Sequence, residues 1–486
     1  MKKFLTICVF VTLAVTSASA QMRMERRPCI QDSKGAGTRL EDLKKDWDPS
    51  RTYPQAVILV TYQDQDFSMS NPYEHYDSLF NVKGYNERNA NGCVADYFRD
   101  QSNGMFNVKF DIIGPVRVAQ SVKSKSSDNQ GGEVFHDATQ IALDSLKVDF
   151  SPYDWDGDGE VDQIIFVSAG YCANGSGGTK NGYLWPNTGS FYPIIRTADG
   201  LELSNYTASA EKWYNDIPCG LGTICHEYCH CFGLPDLYPT DKSSFSVVDE
   251  WDLMDGGNYT CWGWSPPNLS AMEKLVLGWI TPEEITGPAK VKNLKPLAEG
   301  GKCYRSTILG DEYYLLENRQ QSGWDFGAPG KGLLVTYVNY SSTTWRWNSV
   351  NTSWKKNYHI IPADGMDYDA WEDFVEAMGM TEYEDDANRF RRHHLSTSPY
   401  PVKNDSTDVH ECSLSPYSFT NIKMASDGSI SFEIVKGETG IEGVKEEVKS
   451  EGVKSEKWYD LQGRLLLGKP QRKGLYIRNG KKEIIR

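Results

Sequence analysis

The chain has 486 residues and carries 66 acidic side chains against 51 basic ones, a formal charge of −15. That balance excludes a partner recognised through a phosphate backbone. At about 100–200 residues per domain the length requires more than one unit.

Residues 1–20 read as a secretory signal, with Lys2 and Lys3 as a basic start, an apolar run from Phe4 to Val15, and Ala18-Ser19-Ala20 as a small-residue cleavage site. The run is too short to cross a bilayer, and no other stretch approaches the roughly 20 apolar residues of a membrane span. The expected location is therefore outside the cell or at its surface, with no membrane span. Cleavage leaves 49 basic against 66 acidic residues, a charge of −17. It also removes Cys8 from the eleven cysteines, and the remaining ten permit disulfides without specifying a connectivity. Residues 21–50, with the dibasic pairs Arg26-Arg27 and Lys44-Lys45, read as a short pro-segment. Within it Cys29 is either a disulfide cysteine or a thiolate that covers an open metal position in a zymogen.

Ala56 to Val60 is an apolar, β-rich run suited to a buried central strand, and Phe106, Val108, Phe110 and Ile112 alternate as a half-buried one. Between Glu133 and Leu146 the residues Val134, Ala138, Ile141 and Ser145 recur at helical spacing. A mixed α/β class follows. Next, Asp154, Asp156, Asp158 and Asp162 occupy relative positions 1, 3, 5 and 9, with Gly159 at 6 and Val161 at 8, like the front of a calcium loop. Ile165 stands where an EF-hand places its bidentate Glu, so the loop is calcium-loop-like and not a full EF-hand. Packed carboxylates still favour Ca2+ over a plain turn.

The segment from Cys225 to Asp236 contains His226-Glu227-Tyr228-Cys229-His230, then Gly233, Pro235 and Asp236. On a helix His226 and His230 project from one face a turn apart and can hold one zinc ion, with Glu227 beside that face as general base and then acid. Gly233 tolerates a left-handed helix end and Pro235 discourages continuation, so the chain turns and Asp236 becomes the candidate third ligand. Cys225 and Cys229 lie about 100° away from the histidine face and read as core or disulfide cysteines. A structural Cys/His zinc cluster is the competing reading, and it leaves Glu227 without a purpose.

From residue 283 to 436 short β-rich runs such as Tyr313 to Leu316, Leu333 to Val338 and Ser429 to Ile434 are separated by turn residues, as in a β-sandwich-like domain. Trp324, Trp345, Trp347 and Trp354 in this region could stack on sugars, although such aromatics usually fill cores. Arg391-Arg392-His393-His394 reads as a solvated basic patch rather than a second metal site. Residues 437–457 have a linker's composition.

Several separated segments resemble the immune inhibitor A family of secreted bacterial zinc metallopeptidases, which are metzincin-like. They are the 226–236 stretch, Trp251-Asp252-Leu253-Met254-Asp255-Gly256-Gly257, Pro266-Pro267-Asn268-Leu269-Ser270, Leu277-Gly278-Trp279-Ile280, Leu316-Glu317-Asn318-Arg319-Gln320 and, upstream, Val94-Ala95-Asp96-Tyr97-Phe98. The resemblance implies an α/β (α+β) metzincin-like catalytic domain over 51–282, with a mixed sheet and an active-site helix, followed by a β-sandwich-like domain over 283–436. It also implies a methionine turn in which Met254 forms an apolar floor beneath the metal. Tyr259, five residues further on, is a candidate oxyanion donor whose plainer reading is packing. The expected activity is zinc-dependent endopeptidase cleavage of extracellular proteins or peptides, glycoproteins among them. The alternative is a surface glycoprotein- or mucin-binding protein of the same fold with weak or no activity, against which the intact Glu227 argues. Residues 458–486, with Trp458-Tyr459-Asp460-Leu461-Gln462-Gly463-Arg464, resemble a short form of the type IX sorting signals of Bacteroidetes, which implies the secretion machinery as a partner.

Overall fold

Val57 and Leu59 point to one side of an extended segment while Ala56, Ile58 and Val60 point to the other, and all five are fully buried. A strand apolar on both faces belongs in the middle of a covered, largely parallel sheet. The segment forms β1 (Thr52–Thr61), flanked in parallel by β2 (Asn107–Arg117) and β4 (Ile164–Tyr171). The sheet continues through β6 (Glu202–Lys212) to β3 (Glu160–Val161), and β5 (Asn187–Arg196) joins β6 as its antiparallel member. The mixed sheet expected from the sequence is therefore present. The computed structural model describes residues 46–437 apart from 124–130, 175–181, 214–215, 242–244, 353–354, most of 367–384 and 404–407, together with short strands between 458 and 485. The signal-like and pro-segment-like residues, Cys29 and Trp354 lie outside the described residues.

On one face Val57, Leu59, Ile165 and Val167 meet α1 (Pro72–Asn81), α2 (Val94–Gln101) and α4 (Leu221–Cys231). On the other, Ala56, Ile58, Ile164 and Phe166 meet α3 (Gly132–Asp144), the helix expected from the 133–146 periodicity. Residues 221–230 of α4 are all buried, so this helix has no solvated face. It lies between the sheet, where Tyr228 Oη donates to Gln55 Oε1 at 2.8 Å, and the 257–263 turn. Close approach there depends on Gly222, at which a Cβ would fall 2.1 Å from the Asn258 carbonyl oxygen. A Gly222→Ala change is expected to destabilise the protein by about 3 kcal/mol through overpacking against immovable backbone. Chemical denaturation checks this, and a midpoint equal to wild type would contradict it.

The β-rich half contains β7 (Glu283–Glu284), β8 (Ala289–Leu294), β9 (Tyr304–Leu309), β10 (Glu312–Arg319) and β11 (Gly332–Asn339). β7, β9, β10, β11 and Tyr358–Ile360 form one sheet; Tyr417–Met424, Ile430–Lys436 and β8 form another. Leu316, Leu333 and Val335 pack with Val291, Phe419, Ile430 and Phe432. The neighbouring residues Tyr313, Leu315 and Leu334 turn the opposite way and enter the same cluster as α4 and Met254. The strand alternation serves two cores at once, and residues up to Glu438 form one compact unit. Residues from Thr439 form a second unit, in which Trp458–Tyr459, Leu465–Leu466, Gly474–Arg478 and Lys481–Ile485 make a four-stranded antiparallel sheet. No helix among the described residues is long and apolar enough to cross a membrane.

One sequence reading comes out differently in three dimensions. Arg391 and His394 are not solvated; both lie buried on the helix Asp385–Thr397, where Arg391 Nη1 donates to Asp249 Oδ2 at 2.7 Å and His394 Nδ1 lies 3.0 Å from Asp364 Oδ2. Carboxylates from elsewhere in the chain make their burial tolerable. Trp324 and Trp345 are core residues, while Trp347 is 68% exposed. Seven of the nine described cysteines are buried, and Cys172 and Cys219 approach to 3.3 Å between sulfurs.

Candidate active site

The helix α4 ends in a paired-bond turn: the Gly233 N–H donates to the His230 carbonyl at 3.0 Å and the Leu234 N–H to the Cys229 carbonyl at 3.3 Å. Gly233 adopts φ +90°, which a side chain at this position would resist. The reversal sends the chain back along the helix face and brings Asp236 to the two histidines. Asp236 Oδ1 lies 3.2 Å from His226 Nε2 and 3.3 Å from His230 Nε2. All three residues are buried, and one donor atom from each lies within 4.8 Å of the others.

The backbone fixes which ring nitrogens face inward. His226 Nδ1 sits 2.9 Å from the Leu253 carbonyl and His230 Nδ1 2.7 Å from the Leu234 carbonyl. A carbonyl only accepts, so each Nδ1 carries its proton, and in the neutral imidazole Nε2 presents its lone pair toward Asp236. Two such nitrogens and a carboxylate oxygen fit a zinc-type cation. Burial by itself lowers the His230 pKa, but the Asp236 charge and hydrogen bond outweigh it and raise it to about 9. Burial would raise Asp236, yet the charge of His230 and the bonds from both imidazoles hold its carboxyl well below the usual range. Near neutral pH the metal-free site thus retains a proton on His230 that a cation must displace. Zinc affinity should rise about tenfold per unit between about pH 6 and 8. Competition titration against a chromophoric chelator measures this, and a pH-independent affinity would exclude it.

Glu227 is buried beside these ligand candidates, and Thr188 Oγ1 on β5 donates to its main-chain carbonyl at 2.6 Å and lies 3.4 Å from its Oε2. Met254 is fully buried, and its carbonyl accepts the Leu237 N–H at 2.8 Å, tying the turn at Met254 to the residue after Asp236. Tyr259 belongs to the core on the α3 side of the sheet: its ring packs edge-on against Trp213, and its hydroxyl lies 3.3 Å from Asn174 Nδ2.

Two polar residues that sequence reasoning missed act on this site: Thr188, and Asn348, which binds both the backbone N–H and the carboxylate of Asp236. Neither stands in a motif, and 39 and 112 residues separate them from their partners.

The structure brings together three of the four aspartates of the 154–162 loop. Asp154, Asp156 and Asp162 offer oxygens within 4.8 Å of one another. Asp158 lies outside that group, and its carboxylate accepts the Glu160 N–H at 2.9 Å. Asp154 meanwhile accepts the N–H groups of Gly157, Asp158 and Gly159, which folds the loop tightly.

Comparison with known proteins agrees with this geometry. The chain is 22% identical over 277 residues to the pre-pro-metalloprotease PrtV of Vibrio cholerae serotype O1, covering 49% of this chain and 30% of that protein. It is 25% identical over 224 residues to immune inhibitor A of Bacillus thuringiensis subsp. alesti, covering 37% of this chain and 32% of that protein. The matched part thus spans about a third of the length of these relatives. Residues 55–278, which hold β1 to β6, α4 and Met254, match the family model "Immune inhibitor A peptidase M6, catalytic domain". That segment, a little under half of the chain, is what is similar to the immune inhibitor A peptidase M6 family.

Proposed function

We propose that the chain is an exported zinc-dependent endopeptidase that hydrolyses peptide bonds of extracellular proteins. The observation that carries this reading is the convergence of Asp236 on His226 and His230 of the buried helix α4, next to Glu227, inside a segment that matches a peptidase family. That family implies a metal, and the donor set suits zinc with a further position open. A bound zinc ion would supply Lewis acidity toward the scissile carbonyl and lower the pKa of the hydrolytic water.

The chain's own residues do the rest. Glu227 takes the water proton and passes it to the leaving amine, and Thr188 orients that carboxylate. Met254 forms the apolar floor of a metzincin-like site, and the β-rich half is its sandwich-like companion. We assign Tyr259 to packing in preference to oxyanion stabilisation, because its hydroxyl engages Asn174. Asp154, Asp156 and Asp162 form a structural Ca2+ loop. Export through residues 1–20, and engagement of secretion machinery by residues 458–486, complete the reading.

Binding of glycoproteins without cleavage is the weaker alternative, since two of the four tryptophans that suggested it are core residues. The test is casein hydrolysis by purified protein. We expect loss of activity on zinc chelation and its return with added Zn2+. Protein that binds zinc yet cleaves neither casein nor a peptide library, even after tryptic nicking, would sink the peptidase reading.

A further inference from the structure

The residues that hold Asp236 lie outside the matched catalytic segment. Asn348 follows the short helix Ser342–Arg346, at the edge of the β-rich half. Its Oδ1 accepts the Asp236 N–H at 2.7 Å and its Nδ2 donates to Asp236 Oδ2 at 2.6 Å. The two bonds close a ring around the aspartate, so the carboxylate cannot rotate about its own axis without breaking one of them. With Oδ2 held by the amide, Oδ1 is the oxygen left facing both histidines.

Two neighbours brace the same loop. Trp345 Nε1 donates to the Gly233 carbonyl at 2.8 Å, and Asn351 Nδ2 donates to the Leu237 carbonyl at 2.8 Å. The segment 345–351 thus grips the loop 233–237 at its start, middle and end. All three gripping side chains are buried. Asn348 itself has φ +50°, a left-handed conformation that Asn adopts more readily than most residues, so the backbone at 348 is shaped to present this amide.

We propose that Asn348 is a positioning residue for the metal centre, and that the β-rich half is therefore part of the site rather than an appended module. This inference rests on the reading of His226, His230 and Asp236 as metal ligands. Hydrogen-bonding partners of ligating carboxylates commonly contribute about 10–100-fold in metal affinity. Asn348 donates to a carboxylate that carries charge, in a dry environment, so the effect belongs in that range.

The test uses the full chain and its affinity for Zn2+, measured by competition with a chromophoric chelator. Asn348→Gly keeps the left-handed backbone and removes the amide; Asn348→Asp keeps shape and backbone but sets a carboxylate against Asp236 Oδ2. Thermal unfolding of the metal-free proteins reports any loss of fold, and the isosteric Asp variant serves if the Gly variant is damaged. The inference expects both variants to bind zinc about 10–100-fold more weakly than wild type, with each metal-free protein still unfolding in one cooperative transition. Wild-type zinc affinity in Asn348→Asp would overturn the positioning role while leaving the ligand assignment intact. A His226→Ala chain that binds zinc as tightly as wild type would instead overturn the ligand assignment, and this inference with it.

Discussion

Replacing Glu227 by alanine is expected to lower peptide hydrolysis by about 10²–10⁴-fold, the usual contribution of a positioned general base, while about one zinc per chain remains bound. Metal retention is expected because the three donors that converge are those of His226, His230 and Asp236, and Glu227 is not among them. Its replacement should leave α4 in place, since Thr188 also bonds the Glu227 main-chain carbonyl, which the substitution does not touch. A Glu227→Gln variant keeps the side-chain length and a partner for Thr188 but cannot accept the proton, and it should be as inactive as the alanine variant. The measurement is the rate of casein cleavage together with metal content by elemental analysis. Retention of more than about a tenth of the activity would sink the assignment of Glu227 as the base.

Replacing Arg319 by methionine is expected to cost about 3–5 kcal/mol of stability, the penalty for stranding buried charges. Arg319 is 2% exposed and pairs with Asp325 through two bonds, Nε to Oδ2 at 2.8 Å and Nη2 to Oδ1 at 2.6 Å. It also lies 3.8 Å from Glu317 and donates at 3.2 Å to the carbonyls of Trp251 and Asn268. The guanidinium therefore links β10 to the two ends of the 251–268 segment that contains Met254. Asp325 and Glu317 accept the backbone N–H groups of Asn268 and Ala271, so neither can swing out to water without undoing this segment. Methionine fills much of the volume, which confines the loss to charge and hydrogen bonding. Urea denaturation followed by tryptophan fluorescence measures it, and a change under about 1 kcal/mol would mean that the network is dispensable.

What the sequence carried plainly was what helix and strand geometry decide within a few residues. The four-residue spacing of His226 and His230 places both imidazoles on one face wherever that helix lies, and Gly233 with Pro235 forces the turn that returns Asp236. The β1 run and the 133–146 periodicity were legible for the same reason, as were the carboxylates of the 154–162 loop, although Asp158 turns to its own backbone. α4 was read from its motif and not from periodicity, because a helix buried on every side has no polar stripe to betray its phase.

The tertiary structure alone decided which distant groups complete the site. The carbonyls of Leu234 and Leu253 settle the imidazole tautomers, Thr188 arrives on an antiparallel strand, and Asn348 comes from the far side of residue 278. A carbonyl has no residue type, and a lone Asn or Thr looks alike whether it is solvated or clamped on a carboxylate. The same holds for Arg391, whose charge is exposed or buried according to whether Asp249 is folded against it. Local spacing determined the chemistry this protein presents; long-range packing, which has no fixed period along the chain, decided how rigidly that chemistry is held.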